Sequence, residues 1–125
     1  MRFLWIAAGA ALGANARYLV SLWAADRFGV TFPYGTFVVN VTGSLLLGFF
    51  LALSVDHFVT SPQARWLLAT GFLGSYTTFS TYMVESVNLA RDGSLLFAFL
   101  NMVGEVAIGL IFALIGMWLA RTLGL

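Results

Sequence analysis

Apolar residues run along this chain in four long stretches, near 3 to 25, 35 to 55, 65 to 90 and 95 to 120, separated by short polar segments. A helix needs about 20 mostly apolar residues to cross the roughly 30 Å of hydrocarbon in a bilayer, so each stretch predicts one transmembrane helix. Helix-breaking residues mark the connections. Asp26, Arg27, Gly29 and Pro33 end the first stretch. Asp56, His57, Thr60, Ser61 and Pro62 divide the second from the third, with Ser61 placed to cap the next helix and Pro62 to begin it. Arg91, Asp92, Gly93 and Ser94 form a tight turn between antiparallel helices. With no long linker and no low-complexity segment, residues 1–125 read as one all-α transmembrane domain of four helices. Arg17 interrupts the first stretch, and no small-residue cleavage site follows a short apolar core. That stretch therefore reads as a helix of the mature protein rather than a signal peptide.

The informative positions are those that break the apolar pattern, because a polar group in lipid needs an internal partner or a wet cavity. Gly9, Gly13, Arg17 and Ser21 recur every four residues and share one helix face. Gly9 and Gly13 make a small-xxx-small contact that admits a neighbouring backbone. Arg17 lies deep enough to cost about 2.5 to 3.5 kcal/mol if it stays in the span. It either snorkels to the interface or supplies positive potential to an aqueous vestibule. Thr36, Asn40 and Ser44 form a second stripe, which can join helices or line a pore with donors. The third stretch is anomalous: from Thr70 to Tyr82 it crowds glycine, threonine and serine into mid-span, and these are poor helix formers. Unwinding is expected around Gly74 to Thr78, where freed carbonyls could bind a cation. Phe79, Tyr82 and Glu85 follow at intervals of three, an aromatic and acidic line beside the expected break. Asn101, Glu105 and Gly109 repeat every four residues on the last helix, and an intramembrane glutamate is a functional candidate by default.

Composition agrees with the pattern: 61% of residues are hydrophobic and 9% charged, more apolar surface than a soluble domain of this size can hide. Cysteine is absent, which removes disulfides and thiolate chemistry, and His57 is the one histidine, read as a solvated loop residue. The six cations are all arginines scattered singly, so no basic run addresses nucleic acid. Four spans put both termini on one side. Arg2, Arg65 and Arg121 fall there, and Arg27 and Arg91 on the other, with Arg17 in the helix leading to it. This is almost no bias under the positive-inside rule, so insertion in both orientations and pairing as an antiparallel dimer are expected. The alternative, that one arginine near a helix end decides the orientation, stays open. No nucleophile and base stand at a workable spacing, so an enzyme is not expected.

Four elements in order, Gly13-Ala-Asn-Ala-Arg17-Tyr18, Gly35-Thr-Phe-Val-Val-Asn40, Gly71-Phe-Leu-Gly74 and Thr77-Thr-Phe-Ser-Thr-Tyr82 followed by Glu85, resemble the Fluc/CrcB family of small fluoride channels along essentially the whole chain. The resemblance implies a dual-topology homodimer in the cell inner (plasma) membrane. It also implies two antiparallel pores, a broken third helix at the dimer axis and a structural Na+ held by backbone carbonyls. By position, Gly74 and Thr77 would hold the sodium ion. Phe79 and Tyr82 would form the aromatic box, Asn40 the pore-lining amide, and Ser80 and Thr81 the adjacent hydroxyls. Arg17, Glu85 and Glu105 would border the vestibule. The chain departs from the family pattern at Tyr82, where phenylalanine is common, and at Glu105 and Gly109, where neutral polar side chains are more usual.

The resemblance implies passive fluoride export, with ring edges and neutral donors replacing the ion's water. A small multidrug-type antiporter is the alternative, with Glu85 or Glu105 exchanging protons for a cation. Arg17 in place of an acid on the first helix weighs against it. A purely structural membrane subunit would leave the polar stripes unexplained. The balanced arginines make a direct prediction: a C-terminal tag labelled in intact cells should be found on both faces of the membrane. A strong single orientation would sink the antiparallel arrangement.

Overall fold

A computed structural model describes residues 1–56 and 61–123. His57 and Thr60 lie outside the described residues. The first helix runs Arg2–Phe28 and the second Tyr34–Asp56. The third stretch is built in two arms, a leading arm over residues 62–76 and a trailing arm Ser80–Arg91. The fourth helix runs Leu95–Thr122. Among the described residues, three helices are long and apolar enough to cross a membrane: Arg2–Phe28, the Tyr34–Ser54 portion of the second, and Leu95–Thr122.

Local chemistry explains the ends. Gly29, at φ 84°, stops the first helix, and its N–H reaches back to the Ala25 carbonyl. Ser61 caps the leading arm by accepting the Ala64 N–H at 3.1 Å, with Pro62 in the first turn, as its sequence position suggests. The trailing arm closes on Gly93 at φ 83°, with Gly93 N–H to Ala90 carbonyl and Ser94 N–H to Leu89 carbonyl, the paired bonds of a Schellman turn.

Two features were not foreseen in the sequence. The leading arm widens to π-helical turns over Arg65–Leu73, and the fourth helix does so over Leu100–Gly104. Helical structure also continues through Gly74–Tyr76, past the start of the expected unwinding, stops at Thr77, which is extended (φ −88°, ψ 159°), and resumes at Ser80.

The helices pack in two intimate pairs, the first against the leading arm and the second against the fourth. Glycines set both. A side chain on Gly9 or Gly13 would strike the Leu67 and Phe72 backbone, and one on Gly71 would strike the first helix at Ile6, Gly9 and Ala10. One on Gly48 would meet Ala113, and one on Gly116 would meet the Leu45 and Phe49 backbone. Bare backbones at these points allow the close approach that replaces a hydrophobic drive inside lipid. The small core between the pairs is Val39, Leu73 and Tyr76, flanked by Ala16, Val20, Leu47 and Phe72. Tyr76 stacks on Phe72 at 5.7 Å and pairs its hydroxyl with Thr42 Oγ1 at 3.0 Å. Large apolar side chains such as Phe3, Tyr18, Leu114 and Trp118 face outward on a chain whose surroundings are hydrocarbon.

Valine at Gly116 is therefore expected to part the second and fourth helices and to cost at least the 1 to 3 kcal/mol typical of overpacking, roughly. Alanine at Gly104, whose added methyl would meet only Phe37 at 4.0 Å, should leave stability unchanged or slightly raised. Heating the detergent-solubilised protein and following its elution profile checks both; equal melting of the two variants would count against the glycine contacts.

Candidate functional site

The interruption between the two arms leaves backbone groups that no helix satisfies, and inside a membrane these need partners from within the protein. Asn40, from the middle of the second helix, supplies them. Its Oδ1 accepts the Thr78 N–H at 2.8 Å, and its Nδ2 donates to the Thr78 carbonyl at 2.9 Å. The same Nδ2 donates its other proton to Glu105 Oε1. One amide thus clasps the interruption from both sides and ties it to the fourth helix. All of its donors are then in use.

The trailing arm is held by a second set of bonds. Tyr82 is buried and donates its hydroxyl to the Met102 carbonyl, which lies within the wide turns of Leu100–Gly104. Its ring stands edge-on to Phe79 at 6.1 Å and 64°. Ser86 donates to the Tyr82 carbonyl at 2.8 Å, and the fully buried Asn101 donates to Ser86 Oγ at 2.9 Å. One turn further along, Thr36 donates to Glu85 Oε1 at 2.9 Å.

These residues border two cavities. The larger, about 660 Å³, lies at the loop end between Ser21, Gly29–Thr36, Glu85, Asn88 and Asp92. The smaller, about 280 Å³, is walled by Asn40, Ser44, Thr77, Thr78, Phe79, Tyr82 and Glu105. Thr36 precedes Asn40 by one turn on the second helix, and Glu85 follows Tyr82 by about one turn on the trailing arm. A polar line therefore leads from the larger cavity toward the smaller.

The predicted site residues separate into groups. Asn40, Phe79, Tyr82, Thr77 and Glu105 come together at the smaller cavity. Glu105, expected at a vestibule, is instead buried against Asn40, while Glu85 does line the larger cavity. Asn40 was expected to keep free donors and does not. Ser80 and Thr81 are exposed and line neither cavity, Arg17 is half-buried and lines neither, and Gly74 is exposed on the leading arm. Phe79 is 73% exposed, with one side on the cavity and the rest outward. Thr36 and Thr78, not singled out as site residues, prove to be direct partners of Glu85 and Asn40. A mid-span asparagine facing a run of poor helix formers was the available signal for the second pairing.

The backbone of the interruption also suits a hard cation. Because the Thr78 N–H turns to Asn40, the Gly74 carbonyl four residues earlier loses the donor a continuing helix would provide. Exposed carbonyl oxygens at such an end are the ligand type that binds Na+ in discontinuous membrane helices.

Comparison with known proteins covers nearly the full length of the chain. The chain is 49% identical over 97% of its length, and 96% of the relative's, to a fluoride-specific ion channel FluC of Chloroflexus aurantiacus. It is 47% identical to the protein of that name from Trichormus variabilis, covering 95% of this chain and 88% of the relative. It is 39% identical to the one from Clostridium perfringens, covering 96% and 94%. The family model of CrcB-like, camphor-resistance proteins matches residues 4–117, and with them the interruption, its asparagine clasp and both cavities, so the chain belongs to the CrcB family.

Proposed function

We propose that the protein is a fluoride-selective ion channel of the cell inner membrane, releasing by passive permeation the fluoride that enters a cell as neutral acid and dissociates inside. The observation that carries this reading is the meeting of Phe79, Tyr82 and Asn40 at one cavity in a chain so similar, end to end, to relatives named as fluoride-specific channels. A small anion sheds its water only where electropositive ring edges and donors replace it, and conduction needs sites weak enough to leave. The edge-on pair of Phe79 and Tyr82 provides such a step without a fixed positive charge. The N-terminus of the Ser80–Arg91 helix beside it adds a partial positive end. No substrate chemistry is involved. The multidrug antiporter finds no support among these relatives.

The functional unit in this reading is an antiparallel homodimer with two pores, its third spans broken at bilayer depth and facing one another. The exposed Gly74, with nothing closer than Ala69 O at 3.7 Å to an added Cβ, leaves room there for a second backbone. Gly74 and Thr77 carbonyls from both subunits would hold Na+, which supplies charge to fix the two interruptions together. A crystal of the dimer should show oxygen ligands from both chains at sodium distances. A site lined by one chain alone, or a continuous helix through 74–78, would count against it.

Transport itself is tested in liposomes containing only this protein, loaded with fluoride or chloride and followed by an ion-selective electrode. Fluoride should leave and chloride should not; equal passage of both, or release only under a proton gradient, would refute the channel. Asn40→Asp should abolish flux, since it removes the donors to Thr78 and Glu105 and sets two carboxyl groups in contact. Tyr82→Phe keeps the ring edge and should conduct within a few-fold of the parent. It deprives the Met102 carbonyl of its donor, however, and should lose about 1 kcal/mol of stability.

A further inference from the structure

The smaller cavity has few protons left to offer an anion. Both Asn40 N–H groups are donated, to Thr78 and to Glu105. Ser44 gives its hydroxyl proton to the Asn40 carbonyl at 2.6 Å and Thr77 gives its own to the Leu73 carbonyl at 3.0 Å. Tyr82 gives its proton to the Met102 carbonyl. Of the polar side chains in the wall, two are left: Thr78, whose Oγ1 accepts the Thr81 N–H at 3.3 Å and keeps its proton, and Glu105.

Glu105 is 5% exposed, and while Oε1 accepts from Asn40, Oε2 is buried with no partner among the described residues. An ionised carboxylate would leave that oxygen bare at bilayer depth, a costly arrangement. A proton on Oε2 changes its role: the bare acceptor becomes a donor, and donors are what this cavity lacks.

Resting on the fluoride reading above, we infer that the Glu105 carboxyl, which lines this cavity with Oε2 turned inward, rotates Oε2 toward the cavity when fluoride enters and, as a neutral carboxylic acid, donates Oε2–H to the ion, and that its ionised form closes the pathway. An O–H donor to an anion makes a short, strong hydrogen bond without adding positive charge to trap the ion. Once the proton is lost, the same atom carries negative charge at the point the anion must pass. The wild-type channel therefore conducts when Glu105 is protonated, and flux falls as pH rises through its titration. Among the described residues, the other titratable groups near Glu105 are on the trailing arm: Tyr82, which walls the same cavity, and Glu85, about one turn further on and lining the larger cavity. The second helix contributes Asn40 and Ser44, which do not titrate, the first helix contributes no residue to this cavity, and Asn101 is one turn away on the same helix.

The test measures fluoride efflux from liposomes in buffers from mildly acidic to mildly alkaline, with protein-free vesicles subtracting leakage of the neutral acid. Wild-type flux should fall with rising pH, by about tenfold per pH unit once the ionised form dominates. Glu105→Gln, whose amide carbonyl can still accept from Asn40 and whose NH₂ cannot ionise, should conduct with no pH dependence. Glu85→Gln should retain the wild-type slope. A flat wild-type profile, or a slope that survives in Glu105→Gln or vanishes only in Glu85→Gln, would overturn the assignment while leaving the channel intact. No fluoride flux at any pH would instead remove the channel reading and this one with it. Should Glu105→Gln fail to assemble, infrared difference spectra of Glu85→Gln on adding fluoride decide: a protonated carboxyl band that shifts with fluoride is expected, and its absence in acidic buffer overturns the inference.

Discussion

A bilayer offers no water to an exposed peptide group, and that single constraint organises this molecule around Asn40. The segment between Tyr76 and Ser80 leaves helical geometry, and in a chain built to span a bilayer its freed backbone groups need partners from within the protein. An amide side chain is suited to the repair because it presents a donor and an acceptor side by side, matching the N–H and C=O of one residue, here Thr78. A hydroxyl could serve one of these groups at good geometry, and a carboxylate could not donate at all. The clasp spans 38 residues of sequence, so it also fastens the second helix to the third span.

The clasp works only if the helices around it are close, and glycine brings them there. Gly43 lies one turn beyond Asn40, and any side chain on it would collide with Thr77. The interruption can therefore sit directly on the second helix. The first helix holds the leading arm through Gly9, Gly13 and Gly71, and Gly48 and Gly116 hold the second helix to the fourth, which carries Glu105 to the third proton-accepting contact of the cluster. Removing bulk at these points lets hydrogen bonds form between backbones and short side chains that otherwise would not reach.

Much of this was legible in the sequence because membrane helices obey length and hydropathy closely. The first, second and fourth stretches were read to within a few residues of their observed ends, and Ser61 and Pro62 marked the third helix's start. The polar residues that matter were also visible, since each one breaks an apolar run. What the pattern could not supply was pairing. Nothing local to Asn40 points to Thr78, and nothing local to Tyr82 points to a carbonyl twenty residues on, so both side chains looked like free donors when both are spent. The π-helical turns escaped for a related reason. The Met102 carbonyl inside the wide turns accepts a hydrogen bond from a tyrosine on another segment, and helix propensity contains no record of that partner.

The same spending of protons explains why so polar a line need not bind an anion tightly. Serine and threonine on a helix readily return their hydroxyl protons to the carbonyl one turn back, as Ser44, Thr77 and Ser86 do here. Such residues hold the wall in place and make it wettable while offering few hydrogens to an ion. In the proposed channel, attraction would be left to the weak, fixed quadrupoles of Phe79 and Tyr82 and to the small number of uncommitted donors beside them. A pathway lined by free amides and hydroxyls would bind a strongly hydrated anion well and release it slowly. One whose hydroxyls are mostly committed to the backbone can exchange the ion's water for a few contacts and still let it go, which is the condition that conduction sets.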